Sequence, residues 1–274
     1  YRYASSDKFS IIHSKEIFGG KQMKIALTGS KGFIGSHLKT RLEKDGHEVI
    51  EWDLKQDPPK DITNFNIRQI YETSYVIHLA AYADVRQSLK EPEKYWKNNV
   101  ENTTRIQKIC HYNNIPLMYA SSSCIHNWWL SPYGTSKKVN EETAYDHQVG
   151  LRFTTVYGDG ARESMLIGKL LNGKIAYLTR HVRDFVHVSD VVEAIVLLMN
   201  KDIRLLKPAY DIGTGKGHVV EELGYLAGWE GIEVTDGDSC EAQDNTADIT
   251  ELKALGWEPK VKVDQYIAER TIPH

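Results

Sequence analysis

Residues Met23-Lys-Ile-Ala-Leu-Thr28 form a short apolar run that stops at a loop with glycine at every third position, Gly29, Gly32 and Gly35. A run of that length, ended by a turn signal, reads as a buried strand. Past the loop, Ile34, Leu38 and Leu42 recur at helical spacing. Strand, glycine loop and helix in that order admit few folds. Glycine permits the tight turn, and backbone N–H groups at the helix start, around Phe33 and Ile34, then approach a pyrophosphate. The spacing is G-x-x-G-x-x-G rather than G-x-G-x-x-G. His47-Glu-Val-Ile-Glu-Trp-Asp53 follows as a second strand, and its terminal acid stands 18 residues after Gly35. A carboxylate there accepts bonds from both ribose hydroxyls and repels a 2′-phosphate, so the expected cofactor is NAD rather than NADP. A glycine-rich surface turn beside a solvated aspartate would leave the ordered succession unexplained. Asp61-Ile62 either brings a carboxylate to the adenine amino group or belongs to a solvated loop.

The alternation continues, with strands predicted over 75–80, 116–120 and 149–156 and helices over 93–112 and 133–146. Strands separated by helices imply βαβ units, hence an α/β fold with a Rossmann-type doubly wound parallel sheet. Past Tyr157 the pattern is less regular. Helices are predicted over 164–171, 189–199 with Ser189 as N-cap, 219–227 and 249–255, and a strand over 209–212. Residues 1–22 are an N-terminal extension of polar character, without a signal-peptide pattern. Residues 23–157 form the dinucleotide-binding domain, and 158–274 mainly a smaller substrate-binding lobe, partly interwoven with the first.

Composition narrows the function. A chain of 274 residues, 41% hydrophobic and 26% charged, buries a sizeable core, and its net charge of −3 offers nothing to nucleic acid or an anionic membrane. Three scattered cysteines compose neither a disulfide framework nor a zinc site, so no metal is expected and the compartment is a reducing one, the cytoplasm.

Chemistry enters with Tyr133 and Lys137. Four apart on a helix, they share a face. A nearby ammonium and a positive nicotinamide both favour phenolate, drawing a phenol from its usual pKa of about 10 toward that of a general base. Lys137 also reaches the nicotinamide ribose. The run Ser121-Ser122-Ser123 ends the preceding strand, where a serine hydroxyl can bond the reacting oxygen. A Tyr-x-x-x-Lys pair is common by chance, but the glycine loop and the serines give it a context.

These segments resemble the extended short-chain dehydrogenase/reductase family, specifically its NAD-dependent nucleotide-sugar epimerases and dehydratases. The resemblance runs from Met23 to the end of the chain. It is carried by Thr28 to Gly35, His78-Leu-Ala-Ala81, Asn98-Asn-Val100, Tyr119-Ala-Ser-Ser-Ser123, Tyr133 with Lys137, Val156-Tyr-Gly158, Arg183 to Val188, Asp211 to Gly215 and Leu255 to Pro259. It implies cofactor contacts from Leu79, Ala80, Ala81 and Asn98. It also implies homodimers paired through the helices over 93–112 and 133–146. The family's Ser-Ser-x-Val-Tyr register makes Ser122 the working serine, with Ser123 second. Strand alternation then sets Cys124 on the face of Ser122 and Ser123 opposite. Arg183 matches the family's diphosphate-binding arginine. A second one is absent near Gln243, which leaves Arg162 or Lys216 to substitute.

The reaction follows by comparison within the family. No Asp-Glu pair follows Ser122, which argues against dehydration. Gly150 to Gly158 resembles 4-epimerases of UDP-uronic acids, in which Thr155 would bond a sugar carboxylate; a β-branched residue is equally at home in a strand. The expected substrate is a nucleotide-diphosphate sugar, epimerised at C4 through a transient 4-keto sugar with no net redox change. The rivals are an oxidoreductase with net turnover of cofactor and a non-catalytic dinucleotide binder. Only ten residues separate Ser122 from Tyr133, too few for the family's usual loop over the site. Trp128 and Trp129 in that stretch either cap the pocket or pack at a strand-to-helix corner.

Overall fold

The computed structural model describes residues 22–271. Residues 1–21, nearly all of the N-terminal extension, lie outside the described residues. Six parallel strands make the central sheet: β1 (Lys24–Thr28), β2 (Glu48–Trp52), β3 (Tyr75–His78), β4 (Leu117–Ser122), β5 (Gln148–Phe153) and, from much later in the chain, β9 (Ala209–Ile212). Their order is β2-β1-β3-β4-β5-β9. The direction of winding reverses between β1 and β3, and in open α/β sheets such a switch point opens a crevice outside the strands' carboxyl ends.

Each central strand is buried on both faces, because helices cover both. Ile25 and Leu27 of β1, Ile77 of β3 and Met118 of β4 pack in one layer with the helices Phe33–Lys44 and Val188–Met199. Their alternates Ala26, Val76, Leu117 and Tyr119 pack in the other, against Ile106 and Cys110 of the helix Thr103–Tyr112. Each such side chain contributes roughly 1.5–3 kcal/mol, so the sheet is a rigid platform for its loops.

The run expected as one strand over 149–156 is two. β5 ends at Phe153, and the chain leaves the central sheet at Thr154, whose N–H and hydroxyl both donate to the Ile212 carbonyl. β6 (Thr155–Tyr157) pairs instead with β8 (Val182–His187), and β10 (Gly217–Val219) completes that second sheet. β7 (Leu178–Thr179) and β11 (Val234–Thr235) form a third pair. A separate core around Tyr157, Phe185, Leu223 and Ile267 holds this part together. Two further differences are local. The helix Val188–Met199 is capped by the His187 ring rather than by Ser189, whose N–H donates to His187 Nδ1. The segment predicted helical over 93–112 is helical from Pro92, but Trp96–Asn102 is wound as a π-helix. No described helix is long and apolar enough to cross a membrane.

Candidate active site

A cleft of about 990 Å³ opens at the carboxyl ends of β1, β3, β4 and β5 and continues over β8. Gly29, Gly32, Phe33, Ile34 and Gly35 line its first stretch. The loop tolerates nothing larger at two of these positions. Gly29 has φ +73°, and a Cβ there would stand 2.8 Å from the Ala80 nitrogen, across the switch point. A Cβ on Gly35 would lie 2.0 Å from the Gly29 carbonyl oxygen, so only glycine lets the helix start so close beneath the turn. Such a cradle, with free space above it, fits a dinucleotide pyrophosphate. Asp53 directly follows β2 beside it, though it is not itself among the lining residues. One carboxylate oxygen accepts from the Lys31 N–H and the other from the Lys55 N–H, both at 2.8 Å.

The other predicted cofactor residues are placed unevenly. Leu79 and Ala81 line the cleft, whereas Ala80 turns its N–H to Thr28 Oγ1. Asp61, Ile62 and Asn98 are not among the lining residues. Asp61 caps a short 3-10 turn by accepting from the Thr63 N–H. Ile62 is a core residue beside Trp52 and Phe65. Asn98 donates to Asn99 Oδ1, and it is Asn99 that is fully buried at the centre of a network. Asn99 accepts from the Tyr82 N–H, donates to the Tyr82 carbonyl and donates to Ser136 Oγ. Asn140 in turn donates to the Asn99 carbonyl. The π-helix thus ties the loop after β3 to the helix Pro132–Glu142.

That helix carries Tyr133 and Lys137. Pro132 stands at its first turn and Ser131 caps it, accepting from the Gly134 N–H. Lys137 Nζ lies 5.7 Å from the Tyr133 ring centroid and donates to the Ala120 carbonyl at 2.7 Å. Ser122, Tyr133 and Lys137 line the same cleft, although all three are buried. Burial pushes the Tyr133 phenol above its ordinary pKa; Cys124 adds to the rise, and a hydrogen bond with Ser122 opposes it. Burial also pulls Lys137 down to about 7, against the opposing charges of Cys124 and Glu141. Desolvation thus penalises both charged forms, and the pull of ammonium and nicotinamide toward phenolate expected from the sequence acts against it.

The alternation argument for the serines also needs correcting. β4 ends at Ser122, and Ser123–Leu130 are 3-10 turns kinked at Asn127, so Ser122, Ser123 and Cys124 all line the cleft. These compact turns span the short connection to Tyr133. Asn127 and Leu130 line the cleft, while Trp128 and Trp129 stack edge-to-face outside it.

Thr155, Arg162 and Arg183 line the farther stretch. Arg162 lies close enough to Tyr133 to favour its charged form. Lys216 does not line the cleft; its Nζ lies 3.9 Å from Asp264. Sequence reasoning missed Arg86 and Glu241, both in the lining and paired with each other. They stand 155 residues apart with no motif around either, so only the fold brings them together.

A sequence model described as the NAD dependent epimerase/dehydratase family matches residues 25–213. Protein CapI of Staphylococcus aureus is 34% identical over 233 residues, 65% of this chain and 70% of that one. UDP-glucuronate 4-epimerase of Thermodesulfobacterium geofontis is 29% identical over 90% of this chain and 94% of its own. The solved structure of MoeE5 in complex with UDP-glucose and NAD superposes with a TM-score of 0.80 at 28% identity, covering 90% of this chain and 97% of that one.

Proposed function

The chain belongs to the NAD dependent epimerase/dehydratase family, and from that premise we propose that it is a UDP-sugar 4-epimerase with NAD as its cofactor. The observation that carries this reading is the convergence of Ser122, Tyr133 and Lys137 on one cleft whose other end is the Gly29–Gly35 cradle. The Gly29–Gly35 cradle and Asp53 would hold NAD, which when bound would supply a hydride acceptor and then a hydride donor for C4. Tyr133 takes the proton of the C4 hydroxyl and later returns one, Ser122 bonds the reacting oxygen, and Lys137 holds the ribose side of the site. Arg162 lowers the cost of the phenolate. The sugar passes through a 4-keto form, turns within the cleft and is reduced from its other face, so no net redox change results.

A uronic sugar is favoured by Thr155 and the cationic Arg162, which both line the cleft, and by the similarity to a UDP-glucuronate 4-epimerase. In this reading residues 23–157 carry the dinucleotide and 158–274 most sugar contacts, with β9 and the helix Val188–Met199 returning to the first unit. We assign the chain to the cytoplasm, supported by three unpaired cysteines. Homodimerisation through the helices over 92–112 and Pro132–Glu142 is supported by Trp96, about half exposed on the first of them; sedimentation at the chain mass alone would remove it.

The test is incubation of the NAD-loaded protein with UDP-, GDP-, dTDP- and ADP-sugars, products being resolved by NMR. The expected result is C4 interconversion of a UDP-hexose or UDP-hexuronate with no lasting change in reduced-cofactor absorbance. Net absorbance change without interconversion would make the chain an oxidoreductase. Tyr133→Phe should lower kcat by about 10²–10⁴, the usual contribution of a positioned general base; full activity in that variant would refute the assignment.

A further inference from the structure

Glu241 occupies a place in the cleft where a ligand anion would be expected. Its Oε2 accepts from Arg183 Nη2 at 2.9 Å, and its Oε1 accepts from Arg86 Nε at 3.0 Å. Arg183 belongs to β8 of the second sheet, and Arg86 to the helix Val85–Lys90 that follows β3 of the central one, so one carboxylate joins guanidinium groups from two separate elements. The remaining partners leave both cations held in place. Arg183 Nη1 donates to the Ala242 and Val182 carbonyls at 2.7 and 2.9 Å. Arg86 Nε lies 2.6 Å from Asp238, and its Nη1 donates to Tyr177 Oη at 3.3 Å. Arg183 and Glu241 keep only 11% and 22% of their side-chain surface exposed, so their attraction is little screened. The group is also close to the chemistry, since Cys124 feels the charges of Arg183 and Glu241 and itself acts on Tyr133.

We infer that Glu241 is an internal stand-in for the diphosphate of the substrate: a carboxylate latch that pairs Arg86 with Arg183 and is displaced when a diphosphate takes its place. The ligand class rests on the nucleotide-sugar reading. Arg86 is then the second cation of the anion site, the part the sequence reading sought in Arg162 or Lys216. Two arginines offering planar, forked donors suit phosphate oxygens, and a carboxylate cannot remain on them while a diphosphate binds, because the like charges repel at contact distance. A ligand without the diphosphate has nothing to exchange for Glu241, so the latch discriminates against free sugars.

The test is calorimetric binding of inorganic pyrophosphate and of UDP to the full chain, to Glu241→Gln and to Arg86→Gln. Loss of the competing carboxylate should tighten both probes about tenfold in Glu241→Gln, and loss of a cation should weaken both by a similar factor in Arg86→Gln. Glu241→Asp, too short to span both arginines, should fall between wild type and Glu241→Gln, and it keeps the test open where Glu241→Gln folds poorly. Unchanged or weaker binding in both Glu241 variants would overturn the latch, as would failure of the wild-type chain and both variants to bind pyrophosphate. The two readings fail separately. Pyrophosphate binding that tightens keeps the latch even if no UDP-sugar is turned over, and turnover without tightening removes the latch alone.

Discussion

Tyr133 and Lys137 are a pair whose chemistry depends on surroundings that the pair does not itself contain. Buried together, each is pushed toward its neutral form, the lysine to about 7. Since the ordinary lysine value is near 10.5, between pH 7 and 10.5 the unfolded chain carries a proton that the folded chain has released. Stability of the cofactor-free protein should therefore rise with pH across that window and lose this contribution below about 7. Lys137→Met should flatten that rise and lift the thermal midpoint at pH 6 by at least about 2–4 °C, the shift made by 1 kcal/mol in a chain of this size. Scanning calorimetry at pH 6, 7.5 and 9 checks it; parallel curves for the two proteins would show that the lysine does not pay for its burial.

At the level of elements, the helix over 92–112 is the instructive case. Its polar-rich pattern predicts a single helix, but the π-helical turn Trp96–Asn102 sets Asn99 facing the loop after β3 and the helix of Tyr133 at once. Asn98 is the residue that the resemblance suggested as a cofactor contact; its neighbour Asn99 is the one that positions the surrounding elements, a role nothing in the residue order announced. Removing Asn99 leaves the Tyr82 N–H and carbonyl without their partner, each at a cost of about 1–3 kcal/mol when buried. Asn99→Ala should thus lower the unfolding free energy by about 2–6 kcal/mol in urea titration. A loss within 0.5 kcal/mol, the range of surface substitutions, would show that the network is dispensable. The break between β5 and β6 was hidden for a related reason. β-branched and aromatic residues run unbroken from Phe153 to Tyr157, and a change of sheet leaves no mark in such a run.

Across the whole molecule, the cleft is lined from both the central sheet and the β6-β8-β10 sheet, so a ligand filling it should stabilise both. NAD at a hundred times its Kd contributes about 2.7 kcal/mol, which at this size is about 5–10 °C in thermal midpoint. Gly35→Ala should abolish that shift, because the added Cβ meets the Gly29 carbonyl oxygen. A differential scanning measurement with and without NAD reads the effect directly, and an intact shift in the variant would mean that the dinucleotide does not use this cradle.

What the sequence determined by itself was local: the buried strand, the glycine turn, the acid directly after β2, and the face shared by Tyr133 and Lys137. Each depends on residues a few positions apart, where period and steric permission act directly. The tertiary structure alone decided the state and company of those residues. Burial raised the Tyr133 phenol against the expected pull, a π-turn buried Asn99 in a network, and Glu241 met Arg86 across 155 residues. Desolvation and long-range ion pairs depend on what surrounds a side chain in space, and the order of residues along the chain does not carry that information.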